Sequence, residues 1–257
     1  MAKLLRDKNI LIMGISNKWS IAWAIAKACY EAGAKLFLSC VDEKTKLSVE
    51  KLCEDMIGVE LLICDVSEDE QIEAMFDDIN KSTDKLHGVV HSLAFAKREE
   101  LEGKYYDTSR DGYLLAQEIS SYSLVAVSRY ARPLMQRCGG SILTLTYLGG
   151  ERAVPNYNVM GVSKAALESS VKYLAADLGE YGIRVNAISA PPIKTVSARG
   201  VSGFTDMLKG YDERVPLKGI IGQEEVADTA VFLISNMARG ITGENIHVDG
   251  GYHILGI

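Results

Sequence analysis

The chain has 257 residues, 47% hydrophobic and 24% charged, with a formal net charge of −6. That length can bury a substantial core, as one large domain or two small ones, and the acidic balance argues against nucleic acid as the main partner. No apolar run is long enough to span a bilayer, and the start "MAKLLRDKNILIMG" lacks the features of a signal peptide. Cys29, Cys40, Cys53, Cys64 and Cys138 are scattered and contain no C-x-x-C pair, while His87 and His91 share a strand-like run without an acidic partner. The expectation is a cytoplasmic protein with reduced thiols, no disulfide frame, no metal site and no membrane segment.

In chain order, "NILIMGI" opens as an apolar strand and passes into an amphipathic helical stretch at 20–32. "AKLFLSC" then precedes a helix at 44–56, "VELLICD" one at 68–82, "LHGVVHSLA" one at 109–137 and "GSILTLTY" one at 157–180. After "IRVNAIS" comes an irregular stretch at about 191–210, then a helix at 223–236 and a last strand, "NIHVDG". Strands without a polar face, separated by helices, imply a parallel sheet covered on both sides. The expected fold is α/β: a single doubly wound Rossmann-type domain over 1–257, with a seven-stranded parallel sheet and helices on both faces. The irregular stretch is too long for a routine connection, which makes 194–212 a candidate lid.

Ligands of such sheets bind at the carboxyl ends of the strands. Gly14 ends the first strand, where a missing side chain permits a sharp turn and close approach of a phosphate. Ser20 stands where it can cap the next helix, whose free N–H groups favour an anion. This segment alone fits a capped helix without a ligand equally well. Asp65 and Val66, after the third strand, suit an adenine pocket, although Asp65 also fits a turn or cap before the next helix. Val41 and the acidic Asp42 lie where a 2′-phosphate would need a cation, which favours NADH over NADPH, with Lys44 and Lys46 nearby.

Tyr157 and Lys164 are seven apart, two helical turns, and so share nearly one face if both are helical. A phenol whose pKa is lowered by a nearby ammonium is a proton donor or oxyanion stabiliser. Taken alone, the pair also fits an exposed helical face. Phe204 and Met207, three apart in the lid, fit either an acyl-chain wall or ordinary packing of a short helix.

Over essentially its full length the sequence resembles the short-chain dehydrogenase/reductase superfamily. Ordinary members carry Tyr-x3-Lys with a serine about thirteen residues before the tyrosine, but here those places hold Met160 and Tyr147. Tyr157-x6-Lys164 preceded by Tyr147 resembles the divergent branch, the bacterial NADH-dependent enoyl-acyl-carrier-protein reductases. "HSLAFAKREELEG", "EISSYS", "YNVMGVSKAALE", "GIRVNAIS" and "GITGENIHVDGGYH" agree with that branch, as does Gly-x5-Ser-Ile-Ala in place of a triple-glycine turn.

The resemblance implies reduction of enoyl thioesters on acyl-carrier protein by NADH, in fatty acid elongation. It implies that Tyr157 bonds the forming enolate oxygen, that Lys164 holds the nicotinamide ribose, and that Tyr147 assists or shapes the acyl channel. Gly14, Ser20, Ile21, Val41, Asp65, Val66, Ser92, Leu93, Ile193, Lys194, Thr195, Val196 and Ser197 would contact the cofactor. Ala96, Tyr147, Tyr157, Phe204 and Met207 would contact the substrate. Five basic and three acidic residues between Lys194 and Lys218 form a basic rim suited to an acidic carrier protein. Small residues on two long helices (Ala116, Ser120, Ser121 and Ser123; Gly161, Ala165, Ala166 and Ser169) fit packing between subunits of a homotetramer, or equally packing on the sheet. The sharpest departure from the branch is "SAPPI", with Pro191 where the family has glycine.

Overall fold

Seven strands form one sheet: β1 (Asn9–Met13), β2 (Lys35–Cys40), β3 (Glu60–Ile63), β4 (Gly88–His91), β5 (Gly140–Thr146), β6 (Ile183–Ser189) and β7 (Asn245–His247). Their order is β3-β2-β1-β4-β5-β6-β7, and every neighbouring pair is parallel. The computed structural model describes residues 3–193, 202–218 and 221–256.

Between the strands lie α1 (Ile21–Glu31), α2 (Glu43–Glu50), α3 (Asp69–Ser82), α4 (Arg110–Gln117), α5 (Ser123–Met135), α6 (Asn158–Leu178), α7 (Phe204–Arg214) and α8 (Gln223–Ile234). Alternation along β1 shows why both faces need helices. Ile10 and Ile12 point into a core with α1, α2 and α8, while Leu11 and Met13 point into a second core with α3, α5 and α6. The helices answer with apolar stripes at helical spacing: Ala22, Ile25, Ala26 and Cys29 on α1, and Ile72, Met75, Phe76 and Ile79 on α3, all buried. Each large side chain so buried contributes roughly 1.5–3 kcal/mol relative to exposure. Among the described residues, no helix is long and apolar enough to cross a membrane.

Three local expectations need correction. The helix expected over 109–137 is interrupted by a π-helical turn at Glu118–Tyr122. Ser120 Oγ accepts from Phe95 N (2.9 Å) and donates to Phe95 O (3.0 Å), and Ser123 Oγ donates to Ile119 O (2.6 Å). Such bonds draw the helix onto a neighbouring loop, which a 3.6-residue period cannot reveal. The helix expected at 44–56 is regular only to Glu50 and then tightens into a 3₁₀ turn, Lys51–Cys53. The tail of the irregular stretch is helical from Phe204, as the first turns of α7. The small residues also divide: Ala116, Ser120, Ser121 and Ser123 are buried inside this chain, whereas Ala165 and Ser169 on α6 are exposed.

Candidate active site

The sheet reverses its winding between β1 and β4, and ligands of doubly wound sheets lie outside the strand ends at such a crevice. A cleft of about 840 Å³ occupies that place, near the upper end of the roughly 300–1,000 Å³ usual for small-molecule sites. It is lined by every described residue that the sequence assigned to cofactor or substrate: Gly14, Ser20, Ile21, Val41, Asp65, Val66, Ser92, Leu93, Ala96, Tyr147, Tyr157, Lys164, Ile193, Phe204 and Met207. Lys194, Thr195, Val196 and Ser197, at the start of the expected lid, lie outside the described residues.

At the β1–β3 end, the polar side chains serve their own turns. Gly14 has a φ of +84°, and a Cβ there would run into the Ser92 carbonyl. Its glycine is therefore required by the turn and by the contact with the end of β4, and not only by room for a phosphate. Ser20 caps α1, accepting from Trp23 N at 3.2 Å and donating to Asn17 O at 2.8 Å. Asp42 caps α2 through Thr45 N at 2.7 Å, and that bond holds its carboxyl below the usual range. Asp42 does not line the cleft, whereas the exposed Val41 does. Asp65 Oδ1 accepts from both Ser67 N (3.0 Å) and Ser67 Oγ (2.7 Å), so the turn-forming role holds alongside its place in the cleft.

The β5–α6 end is built by long-range packing. Tyr157 is not in the helix; it sits just before α6, between Asn156 and Asn158, both at positive φ (64° and 38°). Asn156 Nδ2 donates to Ser202 O (2.9 Å) and Asn158 Nδ2 to Glu102 O (3.1 Å), which hold this unusual backbone from two sides. The Tyr157 ring meets Tyr147 edge to face, with centroids 5.1 Å apart at 78°. Gly149 makes that possible, since a Cβ there would strike the Tyr157 ring. Tyr147 in turn donates its hydroxyl to Met207 Sδ at 3.4 Å, touching α7. Lys164 is 5% exposed and donates from Nζ to Leu145 O at 2.8 Å.

The electrostatics correct one expectation. Burial pushes the Tyr157 phenol well above its ordinary pKa, with Tyr147 and Glu168 adding to the rise; Lys164 does not lower it. Tyr157 is thus a neutral hydrogen-bond donor, and its hydroxyl has no partner among the described residues. Burial likewise pushes Tyr147 up to about 12. Lys164 is brought down to about 8 by burial, opposed by Glu168. Beneath it His91 is fully buried between Thr144 Oγ1 (3.0 Å) and Ser123 Oγ (2.8 Å). Burial, then the Lys164 charge, lowers its pKa to about 3, so it stays neutral.

These features place a neutral phenol and a buried ammonium on one wall of a long cleft whose other end is a set of capped turns. The family model described as enoyl-(acyl carrier protein) reductase matches residues 14–253. The chain belongs to the enoyl-acyl-carrier-protein reductase family. Enoyl-acyl-carrier-protein reductase [NADH] FabI of Bacillus cereus is 56% identical over 256 residues, 99% of this chain and 100% of that one. The Staphylococcus aureus relative, named as NADPH-dependent, is 52% identical over 253 residues, 98% of each chain. The crystal structure of the Bacillus cereus reductase with NADP+ and indole naphthyridinone superimposes with a TM-score of 0.97 at 56% identity, covering 100% of both chains.

Within the family's frame, Met160 occupies the ordinary superfamily tyrosine position and also lines the cleft, one turn from Tyr157. Sequence reasoning missed Phe95, Arg98, Leu101 and Ile119, which line it too. Phe95 reaches the wall because Ser120 holds its backbone, and the serine pair in "EISSYS" was the available signal.

Proposed function

We propose that the protein reduces the trans-2 C=C bond of enoyl thioesters carried on acyl-carrier protein, with NADH as reductant, in the last reductive step of fatty acid elongation. The observation that carries this reading is the Tyr147–Tyr157–Lys164 constellation, with Met160 in place of a carbonyl-reducing tyrosine. The cleft fits a dinucleotide by its volume and by its chemistry: capped turns at one end, a buried ammonium at the other. Gly14, Ser20 and Ile21 would hold the pyrophosphate side, Val41, Asp65 and Val66 the adenosine, and Ser92, Leu93, Lys164 and Ile193–Ser197 the nicotinamide half. When bound, the nicotinamide supplies a hydride to the β-carbon.

Charge then accumulates on the thioester oxygen, three bonds from the attacked carbon, and a solvent-derived proton taken up at the α-carbon completes the reduction. Tyr157 donates a hydrogen bond to that oxygen, an interaction strongest when the enolate forms. Its high pKa suits this, because the proton is shared without being lost prematurely. Lys164 fixes the ribose hydroxyls and so the face presented to substrate. Ala96, Tyr147, Phe204 and Met207 bound the acyl chain, and 194–212 closes over it as a lid. Lys194, Arg199, Lys209, Arg214 and Lys218, five bases against three acids over 194–218, would face the acidic carrier protein. Of the described ones, Lys209, Arg214 and Lys218 are exposed beside the exposed Asp206, Asp212 and Glu213. Exposed Leu114, Tyr122 and Tyr173 on the α4–α6 side, with Ala165 and Ser169, support a homotetramer. The protein works in the cytoplasm.

The test follows NADH oxidation with a short trans-2-enoyl thioester and, separately, a 3-ketoacyl thioester. Enoyl turnover is expected; turnover of the 3-ketoacyl substrate alone would assign a carbonyl reductase instead.

A further inference from the structure

One ionisable group beside the site has no part in the chemistry above. Glu168 lies one helical turn beyond Lys164 on α6 and is partly buried. Its Oε1 accepts from Thr146 Oγ1 at 2.6 Å. Thr146 stands between Leu145, whose carbonyl receives Lys164 Nζ, and Tyr147, whose ring packs on Tyr157. A single carboxylate is therefore tied to the residue that joins the anchors of the lysine and of the tyrosine. Room for it is built in: a Cβ on Gly150 would come within 2.6 Å of Glu168 Oε1.

The charges around the pair are few. Lys164 faces Glu168 along α6, while Glu151 from the turn after β5 and His247 from β7 face Glu168 from the outside. His91 from β4 faces Lys164 and is neutral, and Tyr157 faces Glu168 and is neutral. Glu168 is thus the acidic group that opposes desolvation of the lysine. Nζ donates to Leu145 O and makes no hydrogen bond to Glu168 among the described residues; the interaction acts at longer range in a largely buried setting.

We propose that Glu168 is a positioning residue for the reduction: through Thr146 it fixes the end of β5, and its charge keeps the buried Lys164 protonated. This rests on the reading of Lys164 as the group that holds the nicotinamide ribose. With the lysine near pH 8, loss of the nearby charge discharges it within the working range. Burial, the largest influence, raises the pKa of Glu168 itself, and the Thr146 bond opposes that rise. The threonine therefore favours the ionised carboxylate against burial.

The experiment uses the full-length chain as wild type, Glu168→Gln and Thr146→Val. NADH affinity is titrated calorimetrically from about pH 5 to about pH 10, spanning carboxylate and lysine titrations, and kcat/KM for a short enoyl thioester is followed over the same range. In Glu168→Gln the alkaline limb of both profiles is expected to move down by roughly one unit, with the plateau kept within a few-fold. In Thr146→Val the acid limb moves up, because Glu168 protonates sooner. A lowered plateau or melting temperature with both limbs in place marks a merely structural role and overturns the proposal. Should Glu168→Gln fail to fold, an unmoved acid limb in Thr146→Val overturns it alone. If the wild type turns over no enoyl thioester, the assigned reaction fails, yet the NADH-binding profiles still decide the role of Glu168.

Discussion

The two ends of the cleft are made in opposite ways. At the β1–β3 end, Ser20, Asp42 and Asp65 spend their oxygens on neighbours two or three residues away. The turns are rigid before any ligand arrives, and what they offer is backbone N–H. At the β5–α6 end, among the described residues, the Tyr157 hydroxyl has no partner, Lys164 makes one bond to a carbonyl, and Tyr147 bonds a sulfur. Those groups are held by rings, glycines and the two asparagines rather than by their own neighbours in sequence. One end of the cleft is organised by local turn chemistry, the other by packing between distant parts of the chain.

The strongest test of this contrast is Tyr157→Phe. Removing one unpaired donor should lower kcat by roughly 10²–10³-fold and leave NADH affinity and the melting temperature nearly unchanged, as read by steady-state kinetics, calorimetry and thermal denaturation. A large loss of stability would mean that the hydroxyl has a structural partner.

Lys164→Met is next. NADH affinity should fall by about 10-fold or more, the loss of a charge-assisted hydrogen bond, while the ligand-free protein gains stability at neutral pH. The folded-state pKa, about 8, lies below the ordinary 10.5. Below about 8 the lysine is charged in both states, and its desolvation costs stability in full. Between the two values only the unfolded chain holds the proton, so this cost fades as pH rises. The gain at pH 7 is on the order of 3 kcal/mol and should shrink toward pH 10. Melting curves of both proteins across that range would show it, and a pH-independent difference would contradict a buried charge.

At the other end, effects should be smaller and mainly on stability. Asp42→Ala removes a helix cap and should lower the urea midpoint slightly. It should also narrow the expected preference for NADH over NADPH, by removing a carboxylate beside the position of a 2′-phosphate. Unchanged discrimination would show that Asp42 does not set the choice, and equal or better efficiency of the wild type with NADPH would show that Lys44 or Lys46 reaches the site. Pro191→Gly should change NADH affinity and turnover by no more than a few-fold. Pro191 is buried against the cleft, and the preceding Ala190 N–H already has its partner in Thr146 O at 3.1 Å. A large gain in both would mark the proline as a lesion.

The same contrast explains what the sequence made legible. The strands could be read because several are continuously apolar and helices separate them, and the switch point then located the cleft. Gly14, Ser20 and Asp65 could be read because turns and caps are local. The helical break at Glu118–Tyr122 was hidden, since a π turn keeps helical composition and its cause, the Ser120–Phe95 pair, spans 25 residues. Tyr157's raised pKa was hidden as well: spacing to Lys164 suggested a lowered one, and only burial decides the sign. The role of Glu168 depends on Thr146, 22 positions away, which no spacing rule on α6 would connect.

The π turn has a further consequence as a matter of register. A five-residue repeat in place of the usual helical period is what one surplus residue leaves inside a helix. Winding the same residues into an unbroken α-helix from α4 through α5 would regularise the backbone hydrogen bonds. It would also rotate everything on one side of the turn by about 100° relative to the other. Ser120 would swing off Phe95, or Ser123 off His91, and the buried stripes of α4 and α5 could not both face the core. The surplus residue works as a phase-setter, letting one continuous rod present two faces that an ideal helix would keep out of step.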